Sequence, residues 1–146
     1  MDYPYFYNMK KNILLFLLTV VLAGCSQKAD PSKLPLINGY WQISKVTDED
    51  GNKKEYPINE VYDYFDIKNN SGFHKKVQWQ PDGTFLVNDL QEEVKVMVTA
   101  DEIRLDFSSA YGKHSENLTS LSADEMVLVS KDQLRFVYKK VDVKAK

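Results

Sequence analysis

One cysteine and two histidines among 146 residues remove much of the usual chemistry from consideration. A lone Cys25 closes no intrachain disulfide and builds no thiolate zinc site, so a packed core must hold the fold even in an oxidising compartment. His74 and His114 lack the close spacing of a zinc motif, and no metal or cofactor is expected. Basic and acidic residues nearly cancel, 19 against 21 for a net charge of −2, which leaves no positive field for nucleic acid. Long apolar runs are missing too. The longest, Ile13 to Ala23, has eleven residues, whereas a helix crossing a hydrocarbon core of about 30 Å needs roughly 20.

What is present starts with that short run. Lys10-Lys11 precede it, and Ala23-Gly24 lead from it into Cys25, the order of a secretory signal with a small-residue cleavage site. Leu22-Ala23-Gly24-Cys25 resembles the lipobox of bacterial lipoproteins. That resemblance implies removal of residues 1–24, a diacylglyceryl group on the Cys25 thiol and acylation of its new amino group. Two or more acyl chains hold a protein stably where one holds it marginally, so a membrane is the expected partner, reached through lipid on Cys25. Met9 opens a conventional Met-Lys-Lys signal start, so translation is expected to begin at either Met1 or Met9. Cleavage leaves 122 residues with 17 basic and 20 acidic side chains, enough for one domain with its own core.

Ser26 to Leu36 is polar, carries Pro31 and Pro35 and has no apolar period, which predicts a flexible tether of roughly 18 Å within segment 25–36. The domain itself is placed at 37–142. From Gly39 onward apolar residues recur at every second position, the period of a half-buried strand. Strands are expected at 39–46, 61–67, 73–80, 84–89, 92–99, 102–109, 115–121, 125–130 and 133–141. Short polar breaks such as Pro81-Asp82-Gly83 and Ser122-Ala123-Asp124 join them as antiparallel neighbours. Such a meander hides its edges by closing into an eight- or nine-stranded barrel, with a two-sheet sandwich as the alternative. Thr47 to Asn59 is expected to form a long loop or a lid. Asn69-Asn70-Ser71 and Asn117-Leu118-Thr119 match the glycosylation sequon but are taken as ordinary turn or loop residues.

Gly39-Tyr40-Trp41, a G-x-W at the head of the first strand, resembles the lipocalin-like lipoproteins of Bacteroidetes-type bacteria, and the segment from Ser122 to Lys140 is similar to their last hairpin. The likeness spans most of residues 36 to 141 but lacks a clear counterpart of the later T-D-Y motif. The resemblance implies an all-β barrel with structural roles for Gly39, Trp41 and Arg135: Trp41 closing the barrel floor beneath an arginine, matched here to Arg135. It also implies room for one small ligand and an outer-membrane location.

Chemistry is sparse. His74 falls on the polar side of its strand pattern beside Lys75-Lys76, and His114 in an apparent hairpin loop, so both are expected in solvent. Asp48, Asp50 and Asn52 alternate around Gly51 without the remainder of a calcium loop. Tyr56, Tyr62, Tyr64 and Phe65 sit beside the expected lid, where rings would line the barrel mouth or fill the core. No catalytic residue is assigned and no enzyme is expected. The leading expectation is a membrane-anchored, non-enzymatic module for a small hydrophobic or amphipathic molecule. The alternative is a structural envelope component that docks a protein partner.

Overall fold

The computed structural model describes residues 28–57 and 60–143, with backbone alone at 88 and 89. The signal segment and Cys25 lie outside the described residues. Nine strands follow one another: β1 (Gly39–Thr47), β2 (Lys53–Glu55), β3 (Val61–Lys68), β4 (Ser71–Trp79), β5 (Phe85–Val98), β6 (Ile103–Ser109), β7 (Gly112–Leu121), β8 (Glu125–Ser130) and β9 (Arg135–Val141). Every pairing is antiparallel, and β9 returns to β1 along Tyr40↔Val141 to Thr47↔Arg135. Eight strands thus close into a barrel, and closure leaves few sheet edges to guard. Only Gly39 to Trp41 pair with β3; beyond that the same edge of β1 is taken by β2, at Lys45↔Glu55 to Thr47↔Lys53. The stretch expected as a lid is therefore largely a hairpin extending β1. Its turn is clamped by Asp48, whose carboxylate accepts from the Asn52 backbone at 2.8 Å and side chain at 2.9 Å.

Local chemistry sets the register. Asn69 and Asn70 both take positive φ, 52° and 63°, the two-residue turn whose twist matches a hairpin. Just after it, Gly72 leaves no room for a side chain, since a Cβ there would stand 1.9 Å from the Asp66 carbonyl oxygen.

From Lys28 on, where the described residues begin, the segment expected as a tether is ordered structure. Pro31–Ile37 forms a 3-10 helix capped by Asp30, whose carboxylate accepts from the Ser32 amide at 2.9 Å. Proline fits a first helical turn, where its missing N–H has no partner to lose. The helix plugs one end of the barrel: Ile37 is fully buried, and Leu34 packs on the same core. We call this end the floor. Trp41 is fully buried above it and donates its indole N–H to the Ile37 carbonyl at 2.6 Å. Asn38 holds the helix to β3, its side chain donating to the Ile67 carbonyl and accepting from the Ile67 amide. Val94, Leu105, Met126 and Leu128 fill the rest of the floor half, as an eight-stranded barrel is just wide enough for side chains to do.

Candidate functional site

At the other end, the mouth, the inner face changes character. Along β3 the inward positions are Asp63, Phe65 and Ile67, and cross-strand pairing puts Lys76 opposite Asp63, His74 opposite Phe65 and Glu92 opposite His74. Facing them across the interior, β7 contributes His114 and Glu116, opposite Phe107 and Leu105 of β6. Polar groups withdrawn from water must find each other, and the two buried ones, Asp63 and His74, do. The His74 ring gives Nε2 to Asp63 Oδ1 at 2.7 Å and Nδ1 to Glu92 Oε2 at 2.9 Å, while Lys76 Nζ donates to the same Asp63 oxygen at 2.9 Å. An ionised carboxylate only accepts. Both contacts are therefore hydrogen bonds only if the trio holds one proton beyond a neutral ring and two carboxylates.

Burial opposes the charge on Asp63, but the hydrogen bond from His74 and the positive charge of Lys76 outweigh it and hold this carboxyl below its ordinary range. Glu116 behaves in the opposite way. Burial pushes its carboxyl up to about 7; the Asp63 and Glu92 charges push it the same way, and His74 and Lys76 oppose. Below it, burial raises the Tyr138 phenol. His114 lies flat on Phe107, rings parallel and 4.6 Å apart, with Nδ1 3.8 Å from Glu92 and Nε2 4.0 Å from Glu116.

Above this cluster opens a half-open cavity of about 340 Å³, lined by His74, Lys76, Leu90, Gln91, Glu92, Ser109, Ala110 and Tyr111. Its rim is apolar and exposed: Leu90 at 50% and Tyr111 at 84%, with Leu86 at 59% on the same inner face of the β4–β5 hairpin. A pocket with a few converging polar groups under an apolar rim suits small-molecule capture. Acyl transfer would need His74 to offer a free nitrogen to a hydroxyl such as Ser109, and both of its nitrogens are already spent on carboxylates. Among the described residues, no group of His, Cys, Asp or Glu is arranged to hold a metal ion.

Several expected positions fall elsewhere. His74 is buried at 8% exposure rather than solvated, whereas His114 is exposed as expected but stands on β7 rather than in a loop. Tyr62 and Tyr64 face outward: Tyr64 lies 4.7 Å from Tyr40, which stacks on Phe85 at 4.9 Å, so these rings coat the outer wall while Phe65 joins the core. Arg135 is not the cation over Trp41. It pairs with Thr47 and Val129 at the mouth end of β9, because the antiparallel run carries β9 from mouth to floor. Lys140 takes that place, with Nζ 4.3 Å from the Trp41 ring centroid and donating to the Leu36 and Asn38 carbonyls. Burial lowers the Lys140 pKa, with the Asp142 charge opposing. Gly39 has φ 111°, and a Cβ there would press on Lys140 at 3.2 Å.

A family model described as a lipocalin-like domain matches residues 37–128. A second, for a prokaryotic membrane lipoprotein lipid attachment site, matches residues 9–26, the span that contains Cys25. Among solved structures, a lipocalin-like protein from Bacteroides uniformis is 15% identical with a TM-score of 0.47, covering 73% of this chain and 99% of its own. An uncharacterized protein from Bacteroides eggerthii is 15% identical with a TM-score of 0.46, covering 71% and 98%. No curated protein matches. The chain belongs to the lipocalin-like domain family and is an exported, lipid-anchored protein of the cell envelope.

Proposed function

We propose that the barrel is a non-enzymatic binding module, held at the outer membrane by lipid on Cys25, that takes a small amphipathic molecule into its mouth. The observation that carries this reading is the half-open cavity of about 340 Å³ over His74, Lys76 and Glu92. A long acyl chain does not suit it, because the space below is occupied by Trp41, Leu105, Met126 and Leu128. A compact molecule with an apolar body against Leu90 and Tyr111 and a polar end toward Lys76 and Glu92 does. Lys76 is the accessible cation, its side chain 57% exposed, and Glu92 the accessible carboxylate at 25%.

The test is native mass spectrometry of the lipoprotein extracted from its host membrane in mild detergent, followed by identification of what is released. One stoichiometric small molecule is the expected outcome; a bare protein that binds nothing from a host extract overturns the reading. Exposed Trp79, Leu86, Val87 and Tyr111 around the mouth favour a second reading, docking of an envelope protein on this rim. It is distinguished by a co-purifying chain in place of a small molecule.

A further inference from the structure

We propose that the plugged floor of the barrel rests against the lipid surface and that its mouth opens away from the membrane. The inference takes Cys25 as the lipidated residue, as above, and is independent of whether the pocket holds a ligand. Only Ser26 and Gln27 lie between Cys25 and Lys28, and even fully extended these three residue steps reach only about 10 Å. From Lys28 onward there is no slack. The Lys28 ammonium donates to the Ala100 carbonyl in the β5–β6 turn, Ala29 is buried at 7% exposure, and Asp30 caps the helix that seals the floor. The lipid is therefore tied to the floor end, not to a loose linker.

Exposure alone would point the other way, since Trp79, Leu86 and Tyr111 make the mouth the more apolar end. Reach decides against it. The seven residues of β6 run about 20 Å along the strand, and with the tilt of strands in a closed barrel they carry the mouth about 15 Å above the floor, beyond the reach of the anchor. The floor also has apolar side chains to offer the interface, with Leu36 at 37%, Met97 at 47% and Val98 at 41% exposure. Charge does not decide the matter, because Lys28 and Lys33 share this end with Asp30 and Asp101.

Lipidation consumes the Cys25 thiol, so an introduced cysteine is the one free thiol of the mature protein. Met97→Cys and, as a second floor position in an exposed turn, Ala123→Cys are compared with Tyr111→Cys at the mouth. Each full-length lipoprotein is labelled with a fluorophore and reconstituted into phosphatidylcholine vesicles carrying a headgroup nitroxide. The floor probes are expected to be quenched several-fold more than the Tyr111 probe. Equal quenching, or stronger quenching at Tyr111, overturns the orientation. Failure of the lipid assignment itself would show separately, as a Cys25 thiol that labels in the protein before any cysteine is introduced.

Discussion

Near the floor, the inward side chains of β1, β5, β6 and β8 are Trp41, Val94, Leu105 and Leu128, none more than 1% exposed, over a helix that seals the end. A few residues further along the same barrel, the inward positions become Asp63, His74, Glu92 and Glu116, under an open cavity. The difference lies in what each half can tolerate. An apolar half gains by excluding water and loses by any void. A charged half survives only while each group keeps its partner, and it carries a standing electrostatic cost that the floor does not. The proposed binding role uses both: the floor holds the barrel closed while the mouth stays polar and half open.

That contrast can be broken from either side. The largest effect is expected from Trp41→Ala, which empties the floor and orphans the Ile37 carbonyl; chemical denaturation should register a loss of about 3–5 kcal/mol, nearly independent of pH. Asp63→Ala should cost about 3 kcal/mol at neutral pH by leaving the buried His74 ring without one acceptor. Its loss is pH-dependent with a definite sign. Because the folded-state pKa of Asp63 is lowered, its contribution is present above the unfolded carboxyl value and fades as pH falls through the folded one. Thermal melts of the two proteins should therefore converge in acid.

Glu116 carries the opposite sign. With a folded pKa of about 7, above an unfolded value near 4.3, the folded state holds the extra proton between these limits, and stability declines as pH rises through that window. Ionising this group in place costs roughly 4 kcal/mol at most. Glu116→Gln should accordingly raise Tm at pH 8 and leave it nearly unchanged at pH 4; an equal shift at both would show that the carboxyl does not titrate in the folded barrel. The smallest effect on stability is expected for Ala110→Trp, in the exposed β6–β7 turn, which should leave the melt within about 0.5 kcal/mol of wild type while filling the pocket.

The two-residue period made the strands legible, including the closing run of β9, because alternation follows directly from the pleat. It did not say which face is inside. On β4 the apolar residues Phe73, Val77 and Trp79 suggested an inner face, yet Phe73 lies 6.0 Å from Tyr64 on the outer wall, Trp79 is 42% exposed, and Val77, although buried, stands opposite the outward Tyr62 and outside the core cluster. The inner face carries Gly72, His74 and Lys76 instead. Burial there is earned by ion pairing between strands far apart in sequence, a property no single-strand pattern contains. A usable signal was present in part: Asp63, Glu92 and Glu116 each stand two residues before an inward apolar residue, Phe65, Val94 and Leu118. The floor helix was missed for a different reason. Pro31 and Pro35 look like linker residues, but Pro31 follows a capping Asp30, and Leu34 and Ile37 recur at the spacing of three that a 3-10 turn places on one side.

The most direct test of the division between a structural floor and a binding mouth is the yield of small molecule released from equal amounts of wild-type and Ala110→Trp lipoprotein, purified in parallel from the host. The expected result is one equivalent from the wild type and almost none from the variant, at unchanged Tm. Equal release from both would contradict the account, because whatever the barrel carries would then sit somewhere other than its mouth.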